Sequence, residues 1–112
     1  MVFTYSLRKN NDFKNVYNNG ISKANKYFVV YLLENNCDYN RIGVSVSKKV
    51  GNSVVRHRIK RLLKESYRLH ENLFNSGLSI VIIARKGAEE LDYKSTESSI
   101  IHLFKLHKLI ST

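Results

Sequence analysis

Nine basic side chains fall between Arg41 and Arg68: Arg41, Lys48, Lys49, Arg56, Arg58, Lys60, Arg61, Lys64 and Arg68. One acid, Glu65, stands among them, so this segment is net +8 in a chain of net +10. Cations concentrated in this way are the footprint of a polyanion binder. Arg56, Lys60 and Lys64 recur every four residues and so line up on one helix face, with Arg61 and Arg68 widening the row. Such a face can follow a phosphate backbone without reading bases. Asn52 and Ser53 start the same helix, where free backbone N–H groups offer a second anion site. Lys48 and Lys49 enter directly before it. The alternative is a solvated surface helix. Those normally interleave acids with bases, and like charges at i,i+4 cost roughly 0.2–0.5 kcal/mol per pair. A face with a single acid therefore points to a partner.

A second constellation is aromatic. Phe13 and Tyr17 lie one helical turn apart, and Tyr27 and Tyr31 alternate along an extended run. If that helix packs on that strand face, the rings line a groove. Bases of single-stranded nucleic acid stack on such rings at about 1–3 kcal/mol each. Core packing is the competing fate of aromatics. Phe13 suits either, whereas the hydroxyls of Tyr17 and Tyr31 want water or a partner and favour the groove.

Bond-breaking chemistry finds no support. Glu89, Glu90, Asp92 and Glu97 are the nearest thing to a carboxylate cluster, and they fall where acids favour a helix N-terminus. His57, His70, His102 and His107 lack metal-ligand spacing. Cys37 has no positive neighbour to activate it. There is no GxSxG elbow and no GxxxxGK[ST] loop. No metal site is expected in the protein.

The elements that must position these groups follow from periodicity. Asn11-Asp12 reads as a helix N-cap, with Phe13, Val16 and Tyr17 as one stripe. Asn18-Asn19-Gly20 closes that helix, Gly20 suiting a left-handed C′ position. Tyr27–Leu33 is a strand with Tyr27, Val29, Tyr31 and Leu33 on one face. Part of the Gly20–Lys26 connection adds a short strand. Ile42–Lys48 is the next strand, with Ile42, Val44 and Val46 on one face, and it reads as an antiparallel hairpin with its predecessor. A helix from about Ser53 to about Phe74 places Val55, Ile59, Leu62, Ser66, Leu69 and Leu73 inward. Its cations and His57 face outward, with Arg58 at the border. Leu78–Arg85 is apolar on both faces and belongs inside the sheet, parallel to Ile42–Lys48. Ser95–Ile110 closes the chain as a helix with Ile100, Leu103, Phe104 and His107 on one stripe. The expectation is an α/β (α+β) sandwich, one sheet of about four strands with three helices, in the order αβββαβα.

A chain of 112 residues with 43% hydrophobic content fits a single domain, residues 1–112. One cysteine excludes an internal disulfide and suits a reducing compartment. No apolar run approaches the roughly 20 residues of a membrane helix, and the first residues lack a signal-peptide core. A cytoplasmic protein without a membrane partner, monomeric on its own, is expected.

The run VGNSVVRHRIKRLLKE, preceded by GVSVSKK and followed by IVIIARKGA, closely resembles the bacterial ribonuclease P protein subunit. The likeness extends upstream through NNDFKNVYNNG and ANKYFVVYLL and downstream to HLF. Its core pattern, K-K-x-G-N-x-x-x-R-x-R-x-K-R-x-x-[KR], is long and specific. The resemblance implies a holoenzyme that removes the 5′ leader of precursor tRNA, with catalysis in an RNA subunit that holds most of the Mg²⁺ ions. It implies that Asn52, Arg56, His57, Arg58, Lys60, Arg61, Lys64 and Arg68 bind that RNA. It implies that a central cleft with Phe13, Tyr17, Tyr27 and Tyr31, and with Lys48, Lys49, Arg85 and Lys86 nearby, binds the leader. It also implies a left-handed strand–helix–strand crossover around the basic helix, against the usual hand.

One position departs from the family, whose signature reads Arg-Asn-Arg where this chain has Arg56-His57-Arg58. Histidine keeps a hydrogen-bonding group but loses the paired donor and acceptor of an amide. Three other readings remain at this level. A ribosomal-type RNA binder shares the charge but needs no leader cleft. A DNA-binding module lacks helix-turn-helix spacing. An autonomous nuclease lacks a site.

Overall fold

The structure, a computed structural model, describes residues 4–71, 74 and 76–107. The elements in chain order are β1 (Thr4–Ser6), α1 (Asn10–Asn19), β2 (Ile21–Ala24), β3 (Phe28–Glu34), β4 (Asn40–Val46), α2 (Ser53–His70), β5 (Leu78–Ala84) and α3 (Tyr93–Leu106), with a short 3-10 turn at Ala88–Glu90. The five strands form one mixed sheet in the order β1-β4-β5-β3-β2.

The two-faced apolar strand takes the centre. In β5, Ile80, Ile82 and Ala84 face a core shared with Phe28, Val30, Ile59, Leu63, Tyr67, Ile100, Leu103 and Phe104. Val81 faces the other way, with Leu7 and Val16, and Ile83 packs against that second core. α2 and α3 cover one side of the sheet and α1 the other. The unit β4–α2–β5 brings two adjacent parallel strands together, from Arg41 opposite Ser79 to Val46 opposite Ala84.

Several expectations are corrected. The sheet has five strands rather than about four, because Thr4–Ser6 pairs parallel to Asn40–Ile42. β3 and β4 do not form a hairpin. β5 lies between them, antiparallel to β3 and parallel to β4, since its two apolar faces are buried fully only in the interior. The short strand in the Gly20–Lys26 connection is present as β2, paired with β3. α1 begins one residue before the expected Asn11-Asp12 cap, with Lys9 at the N-cap and no side-chain bond there. Gly20 is extended, at φ −86°. Glycine is required there by close approach, since a Cβ would lie 2.6 Å from the Val16 carbonyl oxygen and 2.8 Å from that of Leu32.

The inward stripe of α2 is rotated from the one expected. Ile59, Leu63, Ser66 and Tyr67 are buried, and Leu69 is 54% exposed. The rotation lets Tyr67 pack edge-on against Phe74, 5.1 Å between centroids. It also lets the Tyr67 hydroxyl meet Thr4 at 2.8 Å and the buried Asn40 amide at 3.3 Å. α2 ends at His70 rather than near Phe74, and α3 starts at Tyr93, capped by Asp92. The expectations for Leu73 and Ile110 lie outside the described residues. The α3 stripe stands as expected: Ile100, Leu103 and Phe104 are buried, and His107 Nε2 lies 2.8 Å from the Val30 carbonyl oxygen.

Candidate nucleic-acid interface

The basic face of α2 is built from two rows of side chains. Asn52 caps the helix, its Oδ1 accepting from the Val55 N–H at 3.0 Å. From there His57, Arg61, Lys64 and Arg68 are exposed, and Arg56, Arg58 and Lys60 are half-buried. His57, Lys60, Arg61, Lys64 and Arg68 line a shallow trough of about 310 Å³. A second, of about 380 Å³, runs from Ser53 and Val54 past His57 and Arg61 to Arg58. His57 and Arg61 belong to both.

These cations are not equally free. The Arg58 guanidinium donates to the Leu91 carbonyl at 2.9 Å and so ties α2 to the segment before α3. Arg68 makes a two-pronged pair with Glu65, at 3.1 and 2.6 Å. That guanidinium holds the Glu65 carboxyl below its usual range. An exposed pair of this kind contributes little to stability, so Arg68 can be redirected to a phosphate at small cost. Arg56 has its Nε buried without a hydrogen-bond partner, a donor that a phosphate oxygen or water could satisfy.

The second feature is a cleft of about 370 Å³ between α1, β4 and α2, lined by Asn10, Phe13, Lys14, Tyr17, Val44, Ser45, Val46 and Lys60. Phe13 can lie flat on the sheet only because residue 43 is glycine, where a Cβ would fall 2.6 Å from its ring. Its ring is 6.3 Å from that of Tyr17, and Tyr17 packs edge-on against Tyr31 at 5.1 Å. Tyr31 thus backs the wall from behind. Burial raises the Tyr17 hydroxyl pKa, and the neighbouring Ser45 hydroxyl opposes the rise. The hydroxyl stays protonated and presents no negative charge to an anionic ligand.

Tyr27 is not brought to this wall. Asn25 Oδ1 accepts from the N–H groups of Tyr27 and Phe28, at 3.1 and 2.9 Å, and this turn takes Tyr27 out of the strand alternation. It packs instead against the core under α2 and α3, near Gly87. Lys48 and Lys49 are exposed in the turn after β4, and Arg85 and Lys86 are exposed just after β5. Because those strands are parallel neighbours, all four cations share one end of the sheet, beyond Val46 of the cleft. Arg85 is partly engaged, donating to the Asn25 carbonyl at 2.6 Å.

The structure adds Lys14 to the cleft, a residue that sequence reasoning missed although it sits at i+4 from Asn10 and i−3 from Tyr17 and so shares their face. It also gives Lys60 a place in both cleft and trough, which no sequence signal marks.

Three of the four carboxylates clustered in sequence are engaged in local structure. Glu89 accepts from the Gly87 N–H at 2.6 and 2.9 Å. Asp92 caps α3 through the Ser95 N–H at 2.8 Å, which lowers its pKa. Glu97 accepts from the Tyr93 hydroxyl at 3.2 Å. Among the described residues, no three His, Cys, Asp or Glu side chains come together to hold a metal ion, and no helix is long and apolar enough to cross a membrane. The site can bind an anionic polymer and stack its bases.

The ribonuclease P family profile matches residues 1–108. The ribonuclease P protein component of Lachnoclostridium phytofermentans is 57% identical over 107 residues, covering 96% of this chain and 92% of that protein. The RNase P protein of Staphylococcus aureus superposes with a TM-score of 0.90 at 38% identity, covering 96% of this chain and 98% of that one. For the RNase P protein from Thermotoga maritima the TM-score is 0.82 at 31% identity, with 90% and 96% covered. The chain therefore belongs to the ribonuclease P protein family, the non-catalytic subunits of the RNA-based endoribonuclease of tRNA 5′ processing.

Proposed function

We propose that this chain, acting in the cytoplasm as a single domain and monomeric before assembly, holds two RNA segments at once. The α2 face, through Asn52, Arg56, His57, Arg58, Lys60, Arg61, Lys64 and Arg68, docks on the catalytic RNA. The cleft, through Phe13, Tyr17 and Lys14 and with Tyr31 behind them, holds the single-stranded 5′ leader of precursor tRNA. Lys48, Lys49, Arg85 and Lys86 draw the phosphates to the cleft's open end.

The observation that carries this reading is Lys60, which lines both the basic trough and the aromatic cleft. Leader and catalytic RNA then meet at one side chain, which sets the leader's register relative to the RNA active site. Positioning of this kind accelerates a reaction without supplying a reacting group. In this reading the catalytic Mg²⁺ ions are held by the RNA subunit, and the protein contributes position and charge.

The test is cleavage of a precursor tRNA at low millimolar Mg²⁺ by a bacterial ribonuclease P RNA, with and without the protein. Protein-dependent cleavage at the mature 5′ end is expected, with none from protein alone. Unchanged cleavage with several RNA architectures would refute the reading.

A further inference from the structure

A second surface of aromatic and basic groups lies outside the cleft. Tyr5 and Tyr39 meet edge to face, 4.8 Å between centroids and 76° between planes. With Ser6 and Arg41 they line an open cavity of about 520 Å³. Tyr5 is 59% exposed, so its ring contributes little to the core.

The pair lies on the cleft's side of the sheet. Tyr5 is opposite Arg41 in the parallel β1–β4 register. Arg41 pairs with Asp12 of α1, and Gly43, two residues on, lies under Phe13. Side chains alternate along a strand, so Tyr5, Tyr39, Arg41 and Gly43 share the α1 face. Thr4 points the other way, to Tyr67 and Glu71. From Ser45 in the cleft back to Arg41 is about 13 Å along β4, at ~3.3 Å per residue.

The ground between is cationic. Arg8 and Lys9 are exposed in the connection from β1 to α1, and the next residue, Asn10, already lines the cleft. Asp12 is neutralised by Arg41, leaving Asp38 beside Tyr39 as the nearest exposed acid. Two aromatic pairs, Phe13 with Tyr17 and Tyr5 with Tyr39, thus lie on one side of the sheet, and the connection between β1 and α1 carries the exposed Arg8 and Lys9. Rings and cations together suit the bases and phosphates of a single strand.

We propose that Tyr5 and Tyr39, with Arg41, form a second base-stacking site for the leader, 5′ of the nucleotides held in the cleft. The polarity follows from Lys60: its end of the cleft adjoins the face that docks the catalytic RNA, so the opposite end receives the leader farther from the cut. This rests on the cleft being the leader site.

The experiment measures holoenzyme affinity for two precursor tRNAs, one with a leader ending within the cleft and one extending past α1. With the wild-type protein the longer leader binds more tightly. Joint replacement Tyr5→Ala and Tyr39→Ala should cost about tenfold on the long leader, the range of one stacked base, and nothing on the short one. Tyr5→Phe with Tyr39→Phe should restore wild-type affinity. An unchanged long-leader affinity in the alanine variant overturns the proposal. So does an equal loss at both lengths, which would assign the pair to the catalytic RNA or to the fold, and so does a wild type that gains nothing from the longer leader. Tyr17→Ala reports separately on the cleft: if it leaves both affinities unchanged, the cleft reading fails by itself.

Discussion

The Arg41 guanidinium donates to the Asp12 carboxylate at 2.7 Å, tying the first turn of α1 to β4. The N-cap Lys9 makes no side-chain capping bond, so this bridge substitutes for a cap in fixing where the helix starts. Phe13 follows Asp12 directly, and its ring position depends on that anchor. Both partners are about a third exposed, so the pair contributes about 1 kcal/mol or less to stability. Asp12→Asn should leave the melting temperature nearly unchanged while lowering leader affinity severalfold. Leader-dependent binding by the holoenzyme checks this, and equal losses with leaderless tRNA would show that the bridge serves the whole fold instead.

Gly43→Ala should be costly for a different reason. A Cβ at residue 43 falls 2.6 Å from the Phe13 ring and 3.1 Å from Leu7 Cβ. Phe13 has to lift off the sheet, at about 1–3 kcal/mol for overpacking. The expected result is a lower melting temperature together with about tenfold weaker leader binding. Full leader affinity in the folded variant would show that the ring's place on the sheet is immaterial.

Lys60 and Lys64 separate the two faces. Both line the basic trough, but only Lys60 also lines the cleft. Each, replaced by alanine, should flatten the salt dependence of catalytic-RNA binding by roughly 0.7–0.9 in the log–log slope, the share of a single neutralised phosphate. Lys60→Ala alone should also weaken the leader-dependent part of substrate affinity. Titrations at several salt concentrations measure both, and identical behaviour of the two variants would remove Lys60 from the cleft.

By the family resemblance read from the sequence, His57 stands where the signature has asparagine. It is exposed and lines both shallow cavities of the α2 face together with Arg61. His57→Asn should retain or slightly improve precursor cleavage by the holoenzyme. A large loss would show that the interaction has been rebuilt around the imidazole.

Legibility in the sequence follows how local each signal is. β5 is readable because a seven-residue run apolar on both faces fits only a sheet interior. β1 is not, because Thr4–Ser6 is too short for periodicity and exists through pairing with β4, extended by the Leu7 N–H to the Ile42 carbonyl at 2.8 Å. The expected β3–β4 hairpin fails because neighbours in sequence usually pair, and nothing local announces that a later strand will insert between them. Helical periodicity places Leu69 inward, yet the Tyr67–Asn40–Thr4 hydrogen bonds, long-range in sequence, set the helix's rotation. In the site, the alternation of Tyr27 and Tyr31 suggests a shared face, and one side-chain turn at Asn25 separates them. The cation run on α2 is visible in full, since a helical repeat is enough to gather it.

His107 links the last helix to the sheet and gives stability a pH dependence of definite sign. Its Nε2 lies 2.8 Å from the Val30 carbonyl oxygen, so the neutral ring must carry its proton there to donate. Burial lowers its pKa from the ordinary 6.5, with the Val30 bond opposing and Lys23 adding to the decrease. A base with a depressed folded-state pKa takes up its proton first in the unfolded chain. Its contribution is therefore intact above about pH 6.5 and declines as pH falls through the window down to the folded-state pKa. Thermal melts from about pH 7 to about pH 5 should show a falling midpoint. His107→Gln, whose amide can still reach a carbonyl, should flatten that slope. A slope unchanged by the substitution would mean that the other groups titrating in this range control acid stability and that the His107–Val30 bond does not.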